Sequence, residues 1–345
     1  PTKLTAFDGA ASDNFGISIA TAADKIVVGA YGEESNTGSV YVYDVNNLSA
    51  TPTKLTAFDG ATGDYFGQSV VATADKIAVG ASYDDDNGTS SGSVYVYDAN
   101  DLSAQPTKLT AFDGDGGDLF GGKLAVSGDK LIVSAQQDET DNNIAGSGSV
   151  YVYDINNLSA TPTKLTAFDG AASDYFGSFI YATADRIVVG AYGDESNTGA
   201  VYVYDANDLS AQPTKLTAFD GAASDQFGWS IAAADDKIFV GARSDNSSSG
   251  SVYVYDANNL SAQPTKLTAF DGATGDYFGQ SIAAADDKSI VSAYGNNSFT
   301  GSVYVYDAND LSATPTKLTA FDAAEYDFFG VSVVGISSPP VSALN

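Results

Sequence analysis

The dipeptide Phe-Gly recurs seven times along the chain at a nearly constant spacing. Successive copies lie 51 to 56 residues apart. The phenylalanines of these copies are Phe15, Phe66, Phe120, Phe176, Phe227, Phe278 and Phe329. A fixed period of this length is typical of proteins built from one structural unit repeated many times. The 345 residues therefore predict an array of like units.

Each period contains four segments with the composition of β-strands. In the second period these are Phe66–Asp75, Lys76–Ser82, Gly92–Asp98 and Pro106–Phe112, which we name segments A, B, C and D. They are rich in Val, Ile, Tyr and Thr, and turn-forming residues bound them. Segment C alternates Val with Tyr, so both of its faces carry large side chains that need cover. The pattern predicts an all-β fold, a β-propeller of four-stranded antiparallel blades.

These segments resemble the FG-GAP repeats of integrin α-subunit propellers. The resemblance is carried by "FGQSV", "KIAVGAS" and "GSVYVYD", with the turn Val79–Ser82 at the GAP position. It covers essentially the whole chain. It implies a propeller with Phe-Gly on the innermost strand of each blade. It also implies that the D–A and B–C loops share one face, which is the ligand face in that family.

The segment count predicts six complete blades plus a split or incomplete seventh built from both termini. Segments A and D occur seven times, whereas B and C occur six times. The extra copies are an N-terminal segment D, Pro1–Phe7, and a C-terminal segment A, Phe329–Ile336. The prediction is one propeller over residues 1–336, with blades starting near 15, 66, 120, 176, 227 and 278 and a partial blade at 329. An extended tail, 337–345, contains two prolines.

Three explanations of the incomplete blade stay open. The native chain is longer, six blades close by themselves, or another subunit fills the gap, because an open sheet edge accepts further strands. In the third case the chain would assemble head to tail. The candidate assembly residues lie in the two end segments: Pro1, Leu4, Phe7, Phe329, Val331 and Val333.

Composition argues against several function classes. The chain lacks Cys and His, which excludes disulfides, Cys or His metal sites and Ser-His-Asp catalysis. Its net charge of −29 disfavours binding to nucleic acid, and no apolar run is long enough for membrane insertion. Thirteen of the 15 basic residues lie at repeated positions in segment D and the A–B connection. Pro and Lys in segment D are predicted to protect an edge strand from aggregation.

The B–C loops differ most between repeats, and binding residues are often carried on loops. The ligand-face candidates in these loops are Asp84, Asp85, Asp86, Asp138, Glu139 and Asp141. Weaker candidates for metal binding are Glu33, Glu34, Asp194 and Glu195. The calcium loop usual in FG-GAP repeats is absent, because the A–B connection is a tight hairpin with a Lys. No cofactor is required, and calcium binding by the B–C loops stays open beside the alternative of solvated acidic loops.

The residue after Phe-Gly also varies, and Gln68, Trp229 and Gln280 are further ligand-face candidates. Trp229 is the only Trp, and it would suit a sugar or peptide ligand. The alternative is that it fills the channel or packs between blades. In the D–A connection, Asp59-Gly60 predicts a turn, and Asp64 is expected to close it through its side chain.

Two function classes follow from these features. The first is a non-catalytic extracellular structural or adhesive propeller that binds copies of itself as a subunit of a surface appendage, filament or virion. The second is a ligand-binding adhesin or lectin-like module whose B–C loop face contacts a surface protein or glycan. Both place the chain outside the cell or on a cell or virion surface. An enzyme is disfavoured, because no distinctive carboxylate pair stands out among so many repeated Asp.

Overall fold

The chain forms β-sheets joined by turns and short loops. The computed structural model describes residues 3–139, 144–234, 236–285 and 287–333. Within these residues, 24 strands form six four-stranded antiparallel sheets, each built from consecutive strands. Contacts divide the chain into two compact units. One contains residues up to Val189 and Tyr204–Gln212, and the other contains Gly190–Val203 and residues from Pro213 onward.

The first three sheets lie in the first unit. Sheet one consists of β1 (Ile19–Ala22), β2 (Lys25–Ala30), β3 (Ser39–Asp44) and β4 (Thr53–Leu55). Sheet two consists of β5 (Ser69–Ala72), β6 (Lys76–Ala81), β7 (Ser93–Asp98) and β8 (Thr107–Leu109). Sheet three consists of β9 (Phe120–Ser127), β10 (Lys130–Ala135), β11 (Ser149–Asp154) and β12 (Thr163–Leu165).

The other three sheets repeat this order. Sheet four consists of β13 (Phe179–Ala182), β14 (Arg186–Ala191), β15 (Ala200–Asp205) and β16 (Thr214–Leu216). Sheet five consists of β17 (Phe227–Ala234), β18 (Lys237–Ala242), β19 (Ser251–Asp256) and β20 (Thr265–Leu267). Sheet six consists of β21 (Phe278–Ala285), β22 (Lys288–Ala293), β23 (Ser302–Asp307) and β24 (Thr316–Leu318).

Short helical turns occur only in loops among the described residues. Four are four-residue turns in B–C loops, α1 (Glu33–Asn36), α2 (Asp194–Asn197), α3 (Asp245–Ser248) and α4 (Asn296–Phe299). Each has two consecutive residues with left-handed backbone angles inside it, so none is a regular helix. A 3₁₀ turn covers Val45–Asn47.

The predicted segments A to D are confirmed as the four strands of each sheet. Segment D is shorter than predicted and pairs over three residues only, as in Thr107–Leu109. Its first residue, Pro106, has no N–H to donate to the ladder, which limits pairing at that end. The predicted A–B hairpins are also present, and Ala72 pairs with Ile77 where β5 turns into β6.

The interface between sheets one and two shows how neighbouring sheets share a core. Val40, Val42 and Leu55 of sheet one form one cluster with Phe66 and Tyr95 of sheet two. The Phe66 and Tyr95 rings meet edge to face, 5.4 Å apart. The two large faces of segment C are therefore both covered, as the Val-Tyr alternation predicts.

Two glycines of the second repeat, Gly67 of Phe-Gly and Gly80 of Gly-Ala, lie where backbone segments approach closely. Gly67 has φ +92°, and a Cβ there would lie 2.6 Å from the Ser39 carbonyl oxygen. A Cβ on Gly80 would lie 2.1 Å from the Gly121 carbonyl oxygen of the next inner strand. Glycine is therefore required at position 67 by both the backbone angle and the close approach, whereas the close approach alone favours it at position 80.

A seventh sheet is not present among the described residues, so that part of the fold prediction is not confirmed. Residues 3–8 and 329–333 form no strand. The chain supplies a segment A and a segment D there but no segments B and C, so neither end segment has an adjacent strand in the sequence to pair with. Pro1, residues 334–336 and the predicted tail 337–345 lie outside the described residues.

Candidate functional site

The most regular polar feature is a cluster around the lysine of each outer strand. In sheet two, Lys108 Nζ lies 2.8 Å from Asp59 Oδ2 and 3.0 Å from Asp84 Oδ2. Tyr95 donates its hydroxyl to the same two carboxylates, at 2.7 Å from Asp59 and 2.9 Å from Asp84. Asp59 comes from the preceding D–A turn, Asp84 from the B–C loop, and Tyr95 from the strand next to Lys108. We name this arrangement the lysine cluster.

The lysine cluster recurs in the other sheets. In sheet three, Lys164 lies 2.7 Å from both Asp113 and Asp138. The equivalent residues of the other sheets are named with the lysine first. They are Lys54, Tyr41, Asp8 and Glu33 in sheet one, Lys215, Tyr202 and Asp194 in sheet four, and Lys266, Tyr253, Asp220 and Asp245 in sheet five. In sheet six the loop acid is replaced by Asn296, whose side-chain oxygen accepts from Lys317 at 2.9 Å.

Ionisation in the cluster is fixed by mutual hydrogen bonding. Burial would raise the pKa of Asp59, but bonds from Lys108 and Tyr95 outweigh it and hold that pKa below its ordinary value. Burial by itself would lower the pKa of Lys108. The hydrogen bonds from Lys108 to the carboxylates outweigh burial, so the pKa of Lys108 is raised. Burial and the bond to Asp59 raise the pKa of the Tyr95 phenol. At neutral pH Asp59 and Lys108 therefore form an ion pair, and the Tyr95 phenol beside them is protonated.

The predicted role of the segment D lysine as an exposed edge charge needs correction. The Lys108 side chain is 14% exposed and points into the cluster. The carboxylates of Asp59 and Asp84 attract the Lys108 ammonium more strongly than water does. The charge therefore becomes part of the contact between one repeat and the next. Asp59 was expected only as a turn residue, and its bonds to Lys108 and Tyr95 were missed. The joint recurrence of Asp and Lys in every repeat was the available signal.

The turn prediction for Asp64 is confirmed, since its Oδ2 accepts from the Ala61 backbone N–H at 2.7 Å. Asp118 closes the equivalent turn of the third repeat by accepting from the Asp115 N–H, also at 2.7 Å. Burial, with the nearby charges of Asp138 and Asp115, raises the pKa of Asp118 to about 6.

The predicted loop carboxylates divide into two groups. The first carboxylate of each B–C loop is buried in a lysine cluster: Glu33, Asp84, Asp138 and Asp194. Those that follow are exposed: Glu34, Asp85, Asp86, Glu139 and Glu195. Asp86 still contacts Lys108, and Asp85 accepts from the Ser90 N–H at 2.7 Å. Asp141 lies outside the described residues. Whether the exposed group contacts a ligand stays a prediction.

Metal binding receives no positive support. Within the part of the chain that the structure describes, no three Asp or Glu side chains converge so as to hold a metal ion. The buried loop acids contact Lys and Tyr side chains, as Asp84 does with Lys108 and Tyr95. The same described residues include no helix long and apolar enough to cross a membrane.

Trp229 lies half-buried in β17 and is stacked against a cation. The guanidinium carbon of Arg243 lies 3.1 Å from the centre of its ring, and Tyr192 lies 5.1 Å from it. Gln280, another predicted ligand-face residue, accepts a hydrogen bond from Arg243 at 3.0 Å. Gln68 instead accepts from Ser82 in the first unit. Of the three predicted residues, Trp229 and Gln280 therefore both contact Arg243, whereas Gln68 does not. No role was predicted for Arg243 from the sequence.

The N-terminal segment binds sheet one as the outer strand of a preceding repeat would. Tyr43 donates to the Thr5 carbonyl at 2.9 Å, and Lys54 pairs with Asp8 at 2.9 Å. Leu4 packs against the buried cluster of sheet one, and the Phe7 ring lies 5.9 Å from Tyr41. These contacts match those of residues 55–59 on sheet two.

The C-terminal segment binds sheet six as the inner strand of a following repeat would. The Phe329 N–H donates to the Thr300 carbonyl at 3.0 Å, as Phe66 does to Thr37. Val333 donates its N–H to Ser281 Oγ at 3.1 Å, and Val331 is 44% exposed.

Sheet six differs from the other five on its outer strand. Leu318 is 46% exposed, whereas the five equivalent leucines of the other sheets are 3–7% exposed. Phe321 is 92% exposed, whereas the other six phenylalanines at this position of the repeat are 52–59% exposed. The outer strand of sheet six is therefore an uncovered apolar edge among the described residues.

The repeats match a known family along most of the chain. Six segments match the FG-GAP repeat family, at residues 2–43, 51–97, 104–153, 161–204, 211–255 and 262–306. The chain belongs to the FG-GAP repeat family. The recognition made from the motifs is confirmed, and the six sheets are the blades of an FG-GAP β-propeller. The chain matches no curated protein.

Proposed function

We propose that this FG-GAP chain is a non-catalytic extracellular structural or adhesive module that binds further copies of itself. The observation that carries the proposal is the uncovered outer strand of sheet six. In the first five sheets the equivalent leucine is buried, and in sheets one, two and five it packs in one cluster with residues of the next repeat. The uncovered strand has the same composition, so it fits a sheet of the same kind.

The fitting surface for this edge is present on sheet one. Tyr41, Tyr43 and Lys54 form the acceptor that contacts a Lys-Leu-Thr-Ala-Phe-Asp segment. Residues 3–8 occupy this acceptor, and residues 317–322 repeat their sequence without a change. We propose that residues 317–322 of one copy replace residues 3–8 on sheet one of the next copy, and that the inner strand of that sheet replaces residues 329–333 on sheet six. Because the two surfaces differ, the contact can propagate into a chain of subunits, as in a filament, surface appendage or virion.

The non-catalytic and extracellular parts of the proposal have separate support. The carboxylates of the lysine clusters, such as Asp59 and Asp84, are held by Lys and Tyr, which leaves them unsuited to proton transfer. A chain without Cys or Met resists oxidation, and a net charge of −29 favours solubility in salty water. FG-GAP repeats are also typical of extracellular propellers.

Sedimentation velocity over a range of concentrations tests the association. Wild type is expected to form species larger than the monomer, and Phe321→Ser is expected to weaken association at least tenfold. The matched control is Phe270→Ser, which removes the same side chain at the same position of an internal repeat. Removal of residues 1–8 frees the acceptor and is expected to strengthen association. Monomers at every concentration, with and without residues 1–8, would overturn the proposal, as would equal effects of the two Phe variants.

A further inference from the structure

Arg243 is held in a fixed orientation by neutral groups. It follows β18 directly, and its Nε donates to Gln226 Oε1 at 2.9 Å while its Nη1 donates to Gln280 Oε1 at 3.0 Å. Ser244 also donates to the Gln226 oxygen, at 2.9 Å, which fixes that amide. The guanidinium plane is supported by the Trp229 ring. A cation with this much support is preorganised, so little entropy is lost when it binds a ligand.

Arg243 differs from the lysines of the clusters, which all form ion pairs. The chain has 44 acidic residues, yet none of the ion pairs found among the described residues includes Arg243. The lysines of the clusters are all matched to carboxylates or, in sheet six, to a carboxylate and an amide. A guanidinium has five N–H donors, and the two bonds to glutamine leave the others for an anion. Its planar fork matches a carboxylate.

Aromatic rings continue from Arg243 along the second unit. Tyr277 lies 6.0 Å from the guanidinium, and Tyr294 stacks on Tyr277 at 5.2 Å. Phe328 lies 6.0 Å from Tyr294, and both are partly exposed. We name Trp229, Tyr277, Tyr294 and Phe328 the aromatic row. Partly exposed rings beside polar groups suit a ligand that has apolar faces and hydroxyls.

We infer that Arg243 and the aromatic row form a binding site for an oligosaccharide that carries a single carboxylate. The guanidinium binds the carboxylate, the exposed parts of the aromatic row contact the apolar faces of the sugars, and glutamine amides and tyrosine hydroxyls bond sugar hydroxyls. The net charge of −29 selects against polyanions, which the whole surface repels, and so favours a ligand with one isolated charge. This site is independent of the self-association proposed above.

The single Trp makes the test direct, because Trp229 fluorescence reports on this site alone. Wild type is titrated at fixed ionic strength with 3′-sialyllactose and with lactose, which lacks the carboxylated sugar. A saturable fluorescence change is expected with 3′-sialyllactose, at least tenfold tighter than with lactose. Equal affinity for the two sugars, or no response to 3′-sialyllactose at millimolar concentration, would overturn the inference.

Variants assign the effect to the guanidinium. Arg243→Gln is expected to weaken binding of 3′-sialyllactose at least tenfold, and Arg243→Lys, which keeps the charge but loses the fork, to give an intermediate affinity. The control Arg186→Gln removes an arginine that pairs with Asp185 at 2.8 Å and is expected to bind like wild type. Circular dichroism confirms that each variant is folded. Unchanged affinity in folded Arg243→Gln would refute the role of Arg243.

Discussion

Replacement of Lys108 by Met tests whether the lysine cluster joins the repeats. The change keeps an unbranched side chain that is one atom shorter, and it leaves Asp59, Asp84 and Asp86 without their cation. Two ionic contacts near 3 Å are lost, each with a gross Coulomb energy of about 6 kcal/mol at an effective dielectric constant of about 20. Desolvation offsets much of this, and removal of one partner from a buried pair typically costs about 3–5 kcal/mol. Since Asp59 is 30% exposed, we expect about 3 kcal/mol.

Urea unfolding followed by circular dichroism measures this loss. The control Lys76→Met removes a lysine of the same sheet whose Nζ lies 4.0 Å from Asp98 on the surface, so it is expected to cost less than about 1 kcal/mol. Asp84→Asn in the Lys108→Met background imitates the Asn of sheet six and is expected to recover about 1–2 kcal/mol, because a buried charge is removed. A Lys108→Met cost equal to that of Lys76→Met, or no recovery by Asp84→Asn, would refute this account.

Two further changes test the backbone and the pH response. Gly67→Ala is expected to lower the free energy of unfolding more than Gly63→Ala does, because both positions have positive φ but only a Cβ at position 67 meets a carbonyl oxygen, at 2.6 Å. Gly63→Ala should lower it by about 1 kcal/mol. Equal losses in thermal unfolding would contradict the steric argument. Asp118 has a folded-state pKa of about 6, above its ordinary value, so its contribution to stability falls as pH rises from about 4 to 6. Asp118→Asn is therefore expected to stabilise the chain at pH 7.5 by up to about 3 kcal/mol and to have little effect at pH 4, and destabilisation at both pH values would be inconsistent with that pKa.

The sequence was sufficient for the strands and their order because each repeat is local and regular. Alternating Val and Tyr in segment C predict a strand that is buried on both faces. The sequence did not predict that segment D pairs over only three residues. The length of this pairing depends on how far segment D runs beside segment C in the folded chain. The seventh blade was inferred from segment counting, which cannot show whether a lone segment finds a partner.

The site was harder to predict because its contacts join distant positions. Asp59 and Lys108 are 49 residues apart, and Asp84 comes from a loop between them. No local pattern encodes that meeting. Trp229 lies on β17, and Arg243 directly follows β18, its partner in the hairpin. Both differ from the residues at the same positions of the other repeats. Comparison of the repeats with one another was therefore the signal that could have linked them.

The central claim, that residues 317–322 of one copy replace residues 3–8 on the next, is tested most directly by zero-length crosslinking. Equal amounts of ¹⁵N-labelled and unlabelled chain are mixed, treated with a carbodiimide and analysed by mass spectrometry. The account predicts a link between Lys54 of one copy and Asp322 of another, identified by mixed isotopes. Links of Lys54 to Asp8 and Glu33 of the same copy alone, with no mixed-isotope link to Asp322, would contradict it.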